Sequence, residues 1–312
     1  MTEERRGLLL GTAAFGMWGL FPLYWPLLEP TMAVEILAHR ILWSLVVTAI
    51  MLAVTGRTGL LRAMWTRREV RYPMMVAGVV IGLNWGTFIW GVTNGHVVDT
   101  SLGYYINPLV TVLLGVLVLK ERLRRWQWLA LALAFAAVVV LSLEVGHPPW
   151  ISLVLAFSFG IYGLIKKRVA VGPIEGLTFE GLVLVPVAAG YLLWIEQAGQ
   201  STALSQGPGH VAMLAFTGVL TALPLLCFAG AANRIPLTTL GLLQYIAPTV
   251  QLILGVALFD EQMGVYRWVG FSLVWVALTI FTVDSLAAHR RRRGVATTDR
   301  DDAAELEPSL PR

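Results

Sequence analysis

Two stretches decide the fold: Gly103-Tyr104-Tyr105-Ile106-Asn107-Pro108 and, further on, Leu243-Gln244-Tyr245-Ile246-Ala247-Pro248. The second repeats the first 140 positions later, and the likeness spreads outward from both. Gly115 answers Gly255, Glu121 answers Glu261 and Trp128 answers Trp268 at that same offset. Nearer the start of each half, Phe15-Gly16 and Gly19-Leu20 answer Phe159-Gly160 and Gly163-Leu164 at an offset of 144, a drift that unequal loops produce. The chain therefore carries an internal duplication.

Composition says what solvent the duplicated unit lives in. Of 312 residues, 57% are hydrophobic and 13% charged, with a mean hydropathy of +0.71. An average soluble domain is about 25% charged. So few charges cannot clothe a globule in water, and lipid is the remaining solvent. Cys227 is the only cysteine, which excludes a disulfide-stapled fold and a cysteine metal cluster. The formal charge of +4 belongs to no domain-sized polar, basic stretch, so nucleic acid is not an expected partner.

A hydrocarbon core about 30 Å thick takes roughly 20 apolar residues per helix. Cutting at charged and Gly/Pro-rich punctuation gives ten such segments, near 7–28, 33–55, 72–94, 98–119, 126–144, 149–166, 177–195, 210–231, 237–259 and 265–286. The first follows Arg5 and Arg6 as a signal peptide would, but it is too long and lacks a small-x-small cleavage site. With the N-terminus in the cytoplasm, 21 of the 23 Lys and Arg residues fall in inner loops and termini. Only Arg40 and Arg267 stand outside that pattern, and losing or adding one span would scramble it. The expectation is an all-α polytopic membrane protein of ten transmembrane helices with both termini cytoplasmic. Residues 1–146 and 147–286 form its two five-helix repeats. Five is odd, so the second repeat is inverted relative to the first, an arrangement suited to alternating access. Residues 287–312 read as a disordered tail, with Arg290 to Arg293 at anionic headgroups and an acidic remainder.

The polar residues inside the spans are the candidates for function. Pro108 and Pro248 each free a backbone carbonyl, which in lipid must be met by protein or by a water-filled cavity. Tyr104, Asn107 and Thr111 share one helix face with the first break, and Gln244, Pro248 and Gln251 share one with the second. Asn107 answers Ala247, so the two stripes differ. They are expected to line a central substrate cavity; the alternative is interhelical hydrogen bonding. Glu35, His39 and Arg40 fall in an otherwise apolar segment, where ionisable groups need a partner or a function. Glu35 and His39 are four apart, so His39 can pair with Glu35 and titrate near neutral pH; alternatively Glu35 sits at the outer interface, where the span begins. Arg40 can meet an anionic substrate, meet a carboxylate from elsewhere, or snorkel to the interface. Glu180 reads either as a proton carrier, with Glu35 and His39, or as an interfacial acid. Asn84, beside Trp85, joins the substrate candidates, while His96 and Asp99 read as loop residues. Glycines at 78, 82 and 86 read as helix packing, and most of the tryptophans near span ends as interfacial anchors.

No His-Glu-x-x-His, Gly-x-Ser-x-Gly or Gly-Lys-Ser/Thr signature occurs, and no cofactor or metal site is expected. The expected partners are a small-molecule substrate and the lipid bilayer, with a homodimer left open. A membrane-embedded enzyme or lipid-handling protein is the alternative class.

Asn84-Trp85 with Phe88-Ile89-Trp90, Asn94-Gly95-His96, the run from Ser101 to Leu109, and the run from Leu240 to Thr249 resemble the RarD group of the EamA-like drug/metabolite transporter family. The likeness extends from about residue 5 to about residue 285. It implies a bacterial inner-membrane permease with ten spans in two inverted repeats, a central substrate cavity, and a link by name to chloramphenicol sensitivity. Asp99 stands where that group carries Glu, which keeps the charge.

Overall fold

A computed structural model describes residues 2–120, 123–145, 148–169, 171–203 and 205–305. Glu121 of the duplicated pattern lies outside them, as do residues 306–312 of the tail. All regular structure among the described residues is helical. The first half holds α1 (Glu3–Leu20), α2 (Ala33–Val54), a short α3 (Thr58–Thr66), α4 (Arg68–Thr93), α5 (Val97–Leu119) and α6 (Arg125–Val145). The second holds α7 (Trp150–Val169), α8 (Pro173–Gln197), α9 (Pro208–Ala232), α10 (Leu237–Leu243), α11 (Ile246–Ala257) and α12 (Val265–Glu305).

Among the described residues, eight helical segments are long and apolar enough to cross a membrane, with α10 and α11 supplying one of them jointly. The two remaining long helices are the first of each half: α1, which opens on four charged residues, and α7, which is apolar over the shorter run Trp150–Lys166. Both pack between helices of the opposite half, α1 against α9 and α11 and α7 against α4 and α5. A helix wrapped in protein does not need a fully apolar surface.

The packing is symmetric under exchange of the halves. α2 packs on α8, α5 on α11 and α6 on α12, each helix meeting its own counterpart. The other contacts come in matched pairs: α5 with α7 and α11 with α1, α4 with α7 and α9 with α1, α4 with α8 and α9 with α2. Tyr105 and Tyr245, the pair 140 residues apart, stack with ring centroids 6.5 Å apart at 19°. They mark the pseudo-two-fold axis. Gly78 and Gly218 hold matched contacts at the same offset. A Cβ on Gly78 would sit 3.4 Å from the Glu180 backbone, and one on Gly218 would run into the Trp43 carbonyl. The stripe of glycines in α4 is thus a close helix contact, as expected.

Three boundaries differ from the sequence reading. The first span is helical only to Leu20, then turns twice in 3-10 geometry at Phe21–Leu23 and Trp25–Leu28. Pro22 and Pro26 each remove the amide that an α-helix would need there. Pro108 leaves α5 continuous, whereas the chain breaks at Gln244 and Tyr245, between α10 and α11. The last helix runs on as far as Glu305, past residue 286 where the last span is expected to end. Extending an existing helix costs no new nucleus, and Ala287, Ala288 and the arginines are good helix formers.

Candidate functional site

Where the halves meet, α1, α2, α4, α5, α7, α11 and the break that precedes α11 surround a cavity of about 130 Å³. That is room for a small molecule rather than a single water. Its wall is aromatic, with Phe15, Trp18, Phe21, Trp85, Phe88 and Phe159, and its polar groups are Arg40, Asn84, Tyr104, Asn107, Gln244 and Gln251. Wider grooves exist between α6 and α12 and along α2, α4 and α8, but exposed apolar side chains such as Val283, Val79 and Leu83 line them.

Of the substrate residues expected from sequence, six line the cavity: Arg40, Asn84, Tyr104, Asn107, Gln244 and Gln251. Asn84 is fixed by donating from Nδ2 to the Leu155 carbonyl at 3.1 Å and to Ser158 Oγ at 2.9 Å. Its Oδ1 accepts from the Tyr104 hydroxyl at 3.3 Å, and edge contacts with Phe88 and Phe159 hold the Tyr104 ring. Gln251 is 2% exposed; its Nε2 donates to the Trp18 carbonyl at 3.2 Å, and its Oε1 is buried without a partner. Asn107 Oδ1 is a second buried oxygen with no partner. Thr111 is a correction: its hydroxyl turns back to donate to the Asn107 carbonyl at 2.9 Å, the ordinary use of a threonine within a helix, and it does not reach the cavity. Pro248 lies in the wall, while Pro108 does not. The Pro248 carbonyl accepts from Ser101 at 2.7 Å, which ties α11 to α5 beside the axis.

Arg40 is buried. Its Nε donates to Thr221 on α9 at 3.0 Å, and its guanidinium carbon lies 4.2 Å from the centroid of the Trp85 ring. Placing a guanidinium at this depth costs about 2.5–3.5 kcal/mol on insertion scales. Cation–π contact of this kind offsets about 2 kcal/mol once desolvated.

The expected proton-handling residues are placed differently. Glu35 does not pair with His39. Its carboxylate accepts from Ser201 Oγ, the Thr202 and Ala203 amides and Thr202 Oγ1 at 3.0–3.3 Å, pinning the α8–α9 loop. Four donors in that loop outcompete a neighbour one turn away. Thr202 Oγ1 continues to Thr31 at 2.7 Å and Thr31 to His210 Nε2 at 2.6 Å. Both ring nitrogens of His39 are buried without partners. Glu180 is buried and partnered. It is 1% exposed, 3.1 Å from Lys166 Nζ and 3.2 Å from the Tyr162 hydroxyl.

Sequence reasoning missed the aromatic wall and the role of Glu261. Trp18, Trp25 and Trp85 are inside the protein rather than interfacial anchors; Phe15 with Trp18, and Trp85 with Phe88, are spaced i, i+3 well inside their spans, which was the available signal. Glu261 accepts from the Val97 and Val98 amides and so caps α5 from the other half. Burial outside the spans pushes its carboxyl above the usual range. His96 is the N-cap of α5, while Asp99, expected in a loop, lies in the first turn of that helix, 3.3 Å from it.

The fold and cavity define a class: a multi-pass α-helical membrane protein built as two matched halves around a central, polar-lined pocket. Within that class the chain belongs to the EamA-like transporter family, whose model matches residues 5–143 and again 149–283. It is 55% identical to a Streptomyces exfoliatus protein named Protein RarD, over 93% of this chain and 92% of that one. It is 41% identical to Protein RarD of Escherichia coli, over 93% and 98%. A Bacillus subtilis relative, 44% identical over 90% and 94%, is described as an uncharacterized transporter. A solved crystal structure shares the fold, with a TM-score of 0.57 at 18% identity over 89% of this chain and 96% of that one. The protein is thus a transporter of the drug/metabolite type.

Proposed function

We propose that this protein carries a small organic molecule across a bacterial cytoplasmic membrane by alternating access, with both termini in the cytoplasm. One observation carries the reading: the polar-lined cavity is formed jointly by the two halves at their pseudo-two-fold interface. Two nearly equivalent halves can exchange an inward-open for an outward-open arrangement around such a site. Asn84, Tyr104, Asn107, Gln244 and Gln251 orient the substrate, and the aromatic wall takes its apolar part. A change of state must break contacts between the halves, and the Glu35 network with the α8–α9 loop and the Glu261 cap on α5 are such contacts. Proton coupling belongs to the same proposal, with Glu35, His39 and Glu180 as its titratable groups.

The test is a comparative metabolite profile of cells expressing the wild type or Asn107→Ala at equal membrane levels, followed by flux of the identified compound in liposomes. The reading expects a compound that the wild type moves unchanged and the variant moves at least about tenfold more slowly. Chemical alteration of the compound, or equal flux through both proteins, sinks it. Proton coupling is abandoned if an imposed pH gradient leaves the flux unchanged.

A further inference from the structure

The two arginines that escape the inner-loop pattern differ in what faces them. Arg267 lies 3.8 Å from Asp99 Oδ2. Arg40, 4% exposed, makes one hydrogen bond, through Nε to Thr221, and no ion pair among the described residues. Three rings surround its guanidinium carbon, Trp85 at 4.2 Å, Trp25 at 5.4 Å and Phe21 at 5.7 Å from their centroids.

Rings attract the flat face of a guanidinium but leave its N–H edge unused. That edge matches a carboxylate bidentately. A buried charge without a counter-ion persists only where something supplies one. The same wall holds the orphaned oxygens Asn107 Oδ1 and Gln251 Oε1, each on a side chain at least nine-tenths buried. These two need donors, just as Arg40 needs an acceptor.

We infer that the cavity takes an organic carboxylate with a flat apolar body. The carboxylate occupies the Nη edge of Arg40, the body packs among Trp18, Phe21, Trp85 and Phe88, and hydrogen-bond donors on the molecule meet Asn107 and Gln251. This rests on reading the cavity as the substrate site, and it adds the charge class that the transport reading leaves open.

Three molecules of one shape test it: 3-phenylpropionate, 3-phenylpropionamide and 3-phenylpropylamine, titrated by calorimetry against the protein in lipid nanodiscs. The carboxylate is expected to bind about tenfold or more tighter than the amide, and the amine weakest. Arg40→Gln should erase that preference and Arg40→Lys keep part of it, with melting temperature recorded as the fold control. Asn107→Asp, which places a negative charge in the same cavity, should weaken the acid and favour the amine even if Arg40→Gln fails to fold. Equal affinities, a preference for amide or amine, no binding by any of the three, or an acid preference that survives in a folded Arg40→Gln overturns the inference. Acid that binds but does not cross a liposome membrane leaves the inference standing and refutes the transport reading instead.

Discussion

Arg40 on α2 and Glu180 on α8 are both buried charges on helices that pair across the pseudo-two-fold axis, and they sit 140 positions apart, yet they live in opposite circumstances. Glu180 is closed off: Lys166 neutralises it at 3.1 Å and Tyr162 donates to its second oxygen. Arg40 is left open, held by one hydroxyl and three rings. A closed charge is committed to its protein partners at rest, because removing either member strands the other in a low-dielectric interior. An open charge beside a cavity belongs to whatever enters it. On the proposed reading, a buried charge without an ionic partner in the protein marks a substrate contact, and burial alone does not.

The contrast predicts opposite outcomes for stability and function. The largest expected effect is on the closed side. Lys166→Met should lower unfolding stability by about 3–5 kcal/mol, read as a depressed melting temperature, because Glu180 then has no cation. Next is Glu35→Gln, which weakens four hydrogen bonds to a charged acceptor and should cost about 2 kcal/mol, again by thermal melting. On the open side Arg40→Met strands no partner, so its melting temperature should stay within about 1 kcal/mol of wild type, the worth of the Thr221 bond. An Arg40→Met loss as large as that of Lys166→Met would break the comparison. Gln251→Ala should cut flux about tenfold, measured in liposomes, by removing one of the orphaned oxygens. Thr111→Val is the smallest, with flux unchanged and stability within about 0.5 kcal/mol, since its hydroxyl serves only its own helix.

Much of this architecture was legible from residue order. The 140-residue offset made Tyr105 and Tyr245 counterparts, and the structure stacks them; Gly78 and Gly218, at the same offset, each sit in a close helix contact, because a duplicated sequence packs duplicated surfaces. Charge sorting singled out Arg40. Helical spacing put Asn107 and Gln251 on the right faces, since period 3.6 survives in any straight helix. What failed depended on partners far away in the chain. The four donors to Glu35 come from residues 201–203, and spacing within α2 could not reveal them. Lys166 and Glu180 meet across α7 and α8, a pairing that local pattern does not encode. Trp85 looked like any membrane tryptophan until the direction of its ring was known.

The central claim is that the open charge in the shared cavity is the transport site. The direct measurement is the export profile of intact cells carrying wild type or Arg40→Gln at matched membrane levels. The account predicts that the compounds whose export depends on the wild-type protein are carboxylates, and that their export falls at least about tenfold in the variant. Export of the same compounds at wild-type rates through Arg40→Gln would contradict it.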